Sequence, residues 1–209
     1  VTAEHYFSAD PASPAQSRQI DIDVAGRPVR LESSTGVFSA GRLDLGTALL
    51  LRKAPLPGPA TTGTLLDLGC GYGPIAVTLA LSAPKATVYA TDVNRRALDL
   101  TRANAASAGA GNVVVGEPTE IPDHVRFDQI WSNPPIRVGK TELHAMLETW
   151  LPRLAGNGTA WLVVARNLGA DSLQEWITAK GWPTHRHASG KGYRVLRVDQ
   201  HNATHAGSP

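Results

Sequence analysis

The sequence predicts an α/β protein: a mostly parallel sheet with helices on both faces, closed by an antiparallel strand pair and preceded by a small hairpin and helix. Three observations predict this. From residue 64 onward, apolar runs of strand length alternate with segments of helical periodicity, and parallel strands need such crossovers. The first of these strands runs into Asp67-Leu68-Gly69-Cys70-Gly71-Tyr72-Gly73-Pro74, a glycine loop of the kind that opens a ligand-binding crossover. The chain then ends in two extended segments that turn at Gly190-Lys191-Gly192.

In chain order, "RQIDIDVAG" and "RPVRLES" alternate in polarity around Gly26-Arg27 and predict a β-hairpin, after which "GVFSAGRLDLGTALLLRKA" turns helical from about Leu43. "APLPGPATTG", residues 54–63, reads as a linker. We therefore expect residues 1–53 to form an extension that closes over a ligand, 54–200 the core, and 201–209 a frayed tail. In the core, "GTLLDLG" is a strand, "PIAVTLALSA" a helix and "ATVYATD" a strand. "NRRALDLTRANAASAG" follows as a helix with Asn94 as N-cap and Gly109 as its stop. "NVVVG" and "RFDQIWSN" are strands. Leu143, Met146, Leu147, Trp150, Leu151 and Leu154 share helical spacing, "GTAWLVVAR" is a strand, and a last helix covers about 171–180.

A chain of 209 residues accommodates one full-sized domain. No apolar run approaches the roughly 18 residues of a bilayer span, so no membrane association is expected. The opening "VTAEHYFSAD" shows no basic patch followed by an apolar stretch, so we expect no secretory leader there. The single Cys70 excludes an intramolecular disulfide and a multi-cysteine zinc site, and fits a reducing cytoplasm. A net charge of +2 permits a nucleic-acid partner without arguing for one. His185 and His187 lack a third ligand nearby in sequence, so we expect no metal.

Glycines at 69, 71 and 73 let the backbone turn sharply and approach a ligand closely. Nicotinamide and flavin enzymes use a related G-x-G-x-x-G loop, but here the spacing is G-x-G-x-G. Asp67 stands two residues before the first glycine, and Asp92 ends the next strand. An acid at that strand end can accept hydrogen bonds from both ribose hydroxyls. Asp67 is awkward beside a diphosphate but suits S-adenosyl-L-methionine, which has no phosphate and carries a sulfonium and an ammonium. The plainer alternative is a tight turn whose acid caps a helix. Cys70 reads as a small packing residue rather than a nucleophile.

"SNPPIRVGK", residues 132–140, ends the fourth core strand. Asn133 and Pro134 each precede a proline and are held extended, and neither Pro134 nor Pro135 can donate a backbone hydrogen bond. The result is an edge rich in acceptors, with the Asn133 side-chain oxygen beside a main-chain carbonyl and the amide nitrogen left to be anchored elsewhere. Such an edge suits an –NH2 group, gripped so that its lone pair faces a methyl donor. Otherwise Asn-Pro-Pro is simply a rigid strand-ending turn.

With "HYFS", "GVFSAGRLDLGT", "TDVNRRAL" and "GKGYRVLRV", these motifs resemble the small-domain class I S-adenosylmethionine-dependent methyltransferases, in particular single-domain members similar to the ribosomal RNA guanine-N2 methyltransferase. The resemblance runs from about His5 to Val198. It implies a Rossmann-like fold and an N-methyltransferase acting on an exocyclic amine, of guanine in ribosomal RNA in the first instance. The cofactor set it implies is Asp67, Gly69, Cys70, Gly71, Gly73, Asp92, Val93, Glu117 and Asn133, with Phe38, Asp44 and Thr47 closing over the methionine end. Asn133, Pro134 and Pro135 would hold the target amine, and Ile136, Arg137 and Lys140 would meet the substrate.

Two departures stand out. The position after Asn-Pro-Pro is Ile136, where most methylases of exocyclic amines carry an aromatic ring; the Arg137 guanidinium can stack on a base in its place. The larger bacterial enzyme also has a second amino-terminal domain, whereas only a hairpin and helix precede residue 54 here. Related Asn-Pro-Pro enzymes methylate protein glutamine amides, which keeps a second acceptor class open, as are small-molecule amines. A nicotinamide oxidoreductase is disfavoured by Asp67 and by the lack of a Tyr-x-x-x-Lys dyad, and a non-catalytic module by the presence of both motifs. Lys180, His185, Arg186, His187, Lys191, Arg194 and Arg197 are candidates for a phosphate-tracking face, although only part of a strand pair shares one surface. Trp131 is the one tryptophan expected near substrate, and His5-Tyr6-Phe7 a lid or an RNA-contacting arm.

Overall fold

The computed structural model of the chain describes residues 16–37, 41–134 and 139–200. Strands β1 (Ser17–Val24) and β2 (Arg27–Ser34) form a hairpin, followed by helix α1 (Leu45–Lys53). Then come β3 (Thr64–Leu68), α2 (Pro74–Ser82), β4 (Thr87–Thr91), α3 (Arg95–Ala108), β5 (Val113–Gly116), β6 (Phe127–Ser132), α4 (Lys140–Trp150), β7 (Leu154–Ala165), α5 (Ala170–Ala179), β8 (Thr184–Gly190) and β9 (Tyr193–Asp199). Strands β3 to β9 make one sheet in the order β5-β4-β3-β6-β7-β9-β8. β3 to β7 run parallel, and β9 runs antiparallel between β7 and β8. The expected α/β class, parallel sheet, terminal antiparallel pair and leading hairpin are all present.

This order positions the site. From β3 the chain winds outward through β4 and β5, then returns to lay β6 and β7 on the other side of β3. The connections after β3 and β6 leave the sheet in opposite senses, so a crevice opens at the carboxyl ends of these two neighbours.

Side chains alternate across the sheet as strand geometry requires. Leu65, Trp131, Trp161, Val163 and Val195 enter a core shared with the hairpin and α1, α2 and α3. Leu66, Leu68, Ile130, Leu162, Leu196 and Val198 enter a second core with α4 and α5. Helix α2 is apolar all round and buried from Pro74 to Ala80, as fits a helix enclosed on every side. Helix α3 starts and stops where its capping residues predict: the Asn94 side chain accepts from Ala97 N, and Gly109 takes the left-handed conformation at φ 73°.

Four local expectations are corrected. The first hairpin turns at Ala25-Gly26, one residue earlier than expected; both have positive φ, 53° and 81°, in the two-residue turn whose twist matches its strands. Helix α4 does not reach Leu154. It gives way to a tight turn over Leu151–Arg153 containing Pro152, whose missing N–H bars further helix, and Leu154 opens β7. Arg166 belongs to a short turn, Arg166–Leu168, rather than to β7. Trp131 is fully buried, its ring tilted against Trp161 and its indole N–H donating to Gln129, so it meets no substrate. His5, Tyr6, Phe7 and the tail 201–209 lie outside the described residues.

Candidate functional site

The glycine loop is fastened to the end of β4. Gly69 N and Cys70 N both donate to Thr91 O, at 2.9 and 3.0 Å, and Gly71 N donates to the Asp92 carboxylate at 3.0 Å. Two of its glycines serve different ends. At Gly73 (φ 87°) a Cβ would lie 2.9 Å from Thr101, so this residue lets α3 approach the loop. At Gly71 (φ 58°) a Cβ would meet only Val37, at 4.0 Å, so the backbone there faces open space.

Three acids surround the loop. Asp67, on β3, has no exposed surface; one carboxylate oxygen accepts from Ala76 N at 2.9 Å, pinning the first turn of α2. Burial pushes its pKa up to about 8, against the lowering effect of the Ala76 hydrogen bond. It faces the site from behind the loop rather than across open space. Asp92 is half-buried and also accepts from Asn94 N at 2.9 Å; its pKa too is raised by burial. Each of its oxygens has spare lone-pair capacity. Val93, beside it, is 47% exposed, an unusual position for a valine unless something covers it. Glu117, after β5, caps the turn that follows and pairs with Arg95 at 3.1 Å.

Asp44 is the third acid and the N-cap of α1, accepting from Gly46 N and Thr47 N at 2.7 and 3.0 Å. It has a second task. The side-chain nitrogen of Asn133 donates to Asp44 at 2.8 Å and to Thr47 Oγ1 at 3.0 Å. A carboxylate can only accept, so this pair fixes which end of the amide is nitrogen. The Asn133 oxygen is thereby turned to the other side, as an acceptor held in place. Below it, Ser132 Oγ donates to Leu68 O at 2.6 Å, joining the ends of β6 and β3.

Asp44 and Thr47, expected as cofactor contacts, thus anchor Asn133. Only the 89-residue separation of Asp44 and Asn133 hid this from the sequence. Pro134 is buried and Lys140 begins α4, exposed. Phe38, Pro135, Ile136 and Arg137 lie outside the described residues. Cys70 is buried against Thr101, its thiol pKa raised well above the ordinary value by burial and by Asp92 and Asp67, which suits packing rather than nucleophilic attack.

The crevice fits S-adenosylmethionine. Asp67 Oδ1, Thr91 Oγ1 and the Tyr72 hydroxyl, all on the elements that form it, are buried without a hydrogen-bond partner, a costly arrangement in a bare protein. All three can accept a hydrogen bond and they lie among acids, an arrangement that suits a cationic ligand, which would draw Asp67 into its charged form, and not a diphosphate. Among the described residues no group of three or more His, Cys, Asp or Glu could hold a metal ion.

The sequence profile of the family described as "Methyltransferase small domain" matches residues 28–197. An uncharacterized Bacillus subtilis protein, YbxB, is 34% identical over 94% of this chain and 98% of its own length. The ribosomal RNA small subunit methyltransferase C of Stutzerimonas stutzeri is 38% identical over 69% of this chain, which spans only 44% of that enzyme. Among solved structures, the Thermus thermophilus 16S rRNA N2 G1207 methyltransferase, in complex with AdoMet and guanosine, superposes with a TM-score of 0.71. Its identity is 24%, covering 90% of this chain and 51% of that one.

Proposed function

The chain belongs to the methyltransferase small domain family and is an S-adenosylmethionine-dependent methyltransferase, and from that premise we propose that it methylates the exocyclic amine of guanine in ribosomal RNA. The observation that carries this reading is the clamp on Asn133. With its nitrogen committed to Asp44 and Thr47, the side chain offers only its oxygen to a ligand, and an oxygen acceptor at the carboxyl end of β6 receives an amine hydrogen. The rRNA methyltransferases among the relatives support the choice of acceptor. Such an acceptor places the reaction in the cytoplasm.

When bound, the cofactor supplies an electrophilic methyl group on a positively charged sulfur. The chain's own residues hold the amine. Asn133 Oδ1, with a main-chain carbonyl of the Asn-Pro-Pro segment, engages the two amine hydrogens and points the nitrogen lone pair at the methyl carbon. Asn133 Oδ1 would hold the amine hydrogens while the methyl is given up and the S–C electron pair kept by sulfur, until one proton leaves to water after transfer, so the chain needs no strong base. Alignment supplies the rate, and well-oriented groups gain up to roughly 7–11 kcal/mol in this way.

The test is transfer of labelled methyl to deproteinised rRNA, assembled ribosomal subunits, tRNA and total protein. We expect label in rRNA or a subunit, and expect Asn133→Ala to lower turnover by about 10²–10³-fold, the usual cost of a preorganised polar contact to the reacting group, with cofactor affinity nearly intact. Label in protein but not RNA overturns the acceptor; unchanged turnover in Asn133→Ala overturns the role of the clamp.

A further inference from the structure

At the carboxyl end of β7 the chain leaves the sheet through Arg166–Leu168, and β9 begins beside it, with Ala165 paired to Tyr193 and Arg166 N donating to Gly192 O at 2.8 Å. A cavity of about 580 Å³ opens at this corner, with Arg166, Asn167, Asp171, Lys191 and Tyr193 in its wall. Its one acid, Asp171, is paired with Arg194. Arg166 and Lys191 are exposed, and among the described residues neither pairs with a carboxylate. Lys140 flanks the same corner: a Cβ on Gly169, the residue before α5, would lie 3.9 Å from its Cε.

The rest of the basic carboxyl-terminal cluster is largely engaged elsewhere. Lys180 pairs with Glu148 at 2.7 Å, Arg197 with Asp199 at 2.8 Å, and the His187 ring meets Lys53 O at 2.9 Å. Lys191 is different because of where it sits. It occupies the two-residue turn between β8 and β9, with φ 49° followed by 81° at Gly192, on a rigid hairpin tip. The corner also communicates with the catalytic crevice. A Cβ on Gly46 would lie 2.9 Å from the Tyr193 ring, so this ring rests on the first turn of α1, between Asp44 and Thr47. In the β6–β7 register Ser132 is level with Leu162, which sets Ala165 roughly 10 Å further along the strand direction, beyond the end of β6 that carries Asn133.

We propose that this corner binds the phosphodiester backbone of the acceptor RNA next to the nucleotide whose amine Asn133 holds, with Arg166 and Lys191 as its principal contacts. The proposal rests on the RNA reading above and assigns to it a second anchoring point. It gives a chain of net charge +2 a local grip on a polyanion, because Arg166 and Lys191 stand together in this corner and its one acid, Asp171, is already paired with Arg194.

The test uses the full chain and deproteinised small-subunit rRNA, with binding measured from about 50 to 200 mM salt and S-adenosylmethionine affinity measured in parallel. Arg166→Gln and Lys191→Gly should each lower the slope of log affinity against log salt by about 1, and the double variant by about 2. Lys191→Arg should keep the slope, and cofactor affinity should hold in all four. Lys191→Gly is safe for the fold, because glycine takes positive φ at no steric cost. An unchanged slope in the double variant overturns this site and leaves the proposed reaction standing. If the unaltered chain binds the cofactor but neither deproteinised rRNA nor assembled small subunits at any salt, the RNA reading falls and the site with it.

Discussion

At the scale of single residues the crevice is organised by which polar atoms are spoken for. Asn133 has its nitrogen committed, whereas Asp67 keeps one oxygen buried and unpartnered. The second case has a consequence for pH. Burial raises the Asp67 pKa from 3.8 to about 8, so between these values the folded chain binds a proton that the unfolded chain has released. Stability attributable to this group is complete below about pH 4, declines as pH rises and is gone above about pH 8. Asp67→Asn should therefore stabilise the ligand-free protein relative to the unaltered chain, by a margin that grows from pH 5 to pH 8 in urea melts. The same substitution should weaken S-adenosylmethionine binding by about tenfold or more, one pKa unit of lost interaction, since a cation is what would draw that carboxyl into its charged form. A margin that shrinks with pH sinks the account. That Asp67, Asp92 and Asn133 stand at the carboxyl ends of neighbouring strands around the glycine loop was legible from their spacing in the chain. That Asp44 and Thr47 serve Asn133 was not, because a hydrogen bond between α1 and the end of β6 leaves no local pattern in the chain.

At the scale of elements, the hairpin β1–β2 is joined to the core by its apolar face and, at Glu32, by a buried polar side chain. Asn104 of α3 accepts from Glu32 N at 2.7 Å and donates to Glu32 O at 2.8 Å and Tyr72 O at 2.7 Å, all from a buried position. It thereby clips β2 and the glycine loop to one helix. Asn104→Ala leaves three backbone groups without partners and should cost about 2–4 kcal/mol, read as a lower urea midpoint with an unchanged denaturant slope. A cost below about 0.5 kcal/mol, the range of ordinary surface changes, would show that the hairpin is held by its apolar face alone. Alternation and capping residues made nearly every element readable in advance. The misses fell where tertiary contacts override periodicity. Leu154 fits the α4 pattern, yet Pro152 ends the helix and the residue pairs with Phe127 in the sheet instead.

At the scale of the whole molecule, charge is sorted even though its total is nearly balanced. Asp67 and Asp92 stand at the glycine loop, Asp44 holds Asn133 across the crevice, and Arg166, Lys191 and Lys140 stand at the β7–β9 corner. Composition alone reports only the sum, which is why +2 decided little about partners. The strand order β5-β4-β3-β6-β7-β9-β8 sets Asp67 and Asp92, on β3 and after β4, apart from Arg166, which follows β7 on the other side of the β3–β6 crevice. This arrangement predicts a ligand preference that can be measured on the intact protein. A ligand that binds only the folded state stabilises it by about 2.7 kcal/mol at a hundredfold excess over its dissociation constant, and for a chain of this length that is a rise of roughly 5–10 °C in melting temperature. S-adenosylmethionine should produce such a rise. NAD, whose diphosphate would meet the acids at the glycine loop, should produce none at the same concentration. The effect of S-adenosylmethionine should also survive added salt, because the acids that meet it are buried or half-buried and poorly screened, whereas RNA binding at the exposed cations should weaken steeply. Equal salt sensitivity of the two ligands would mean that the sorting of charge across the crevice does not govern what each side binds.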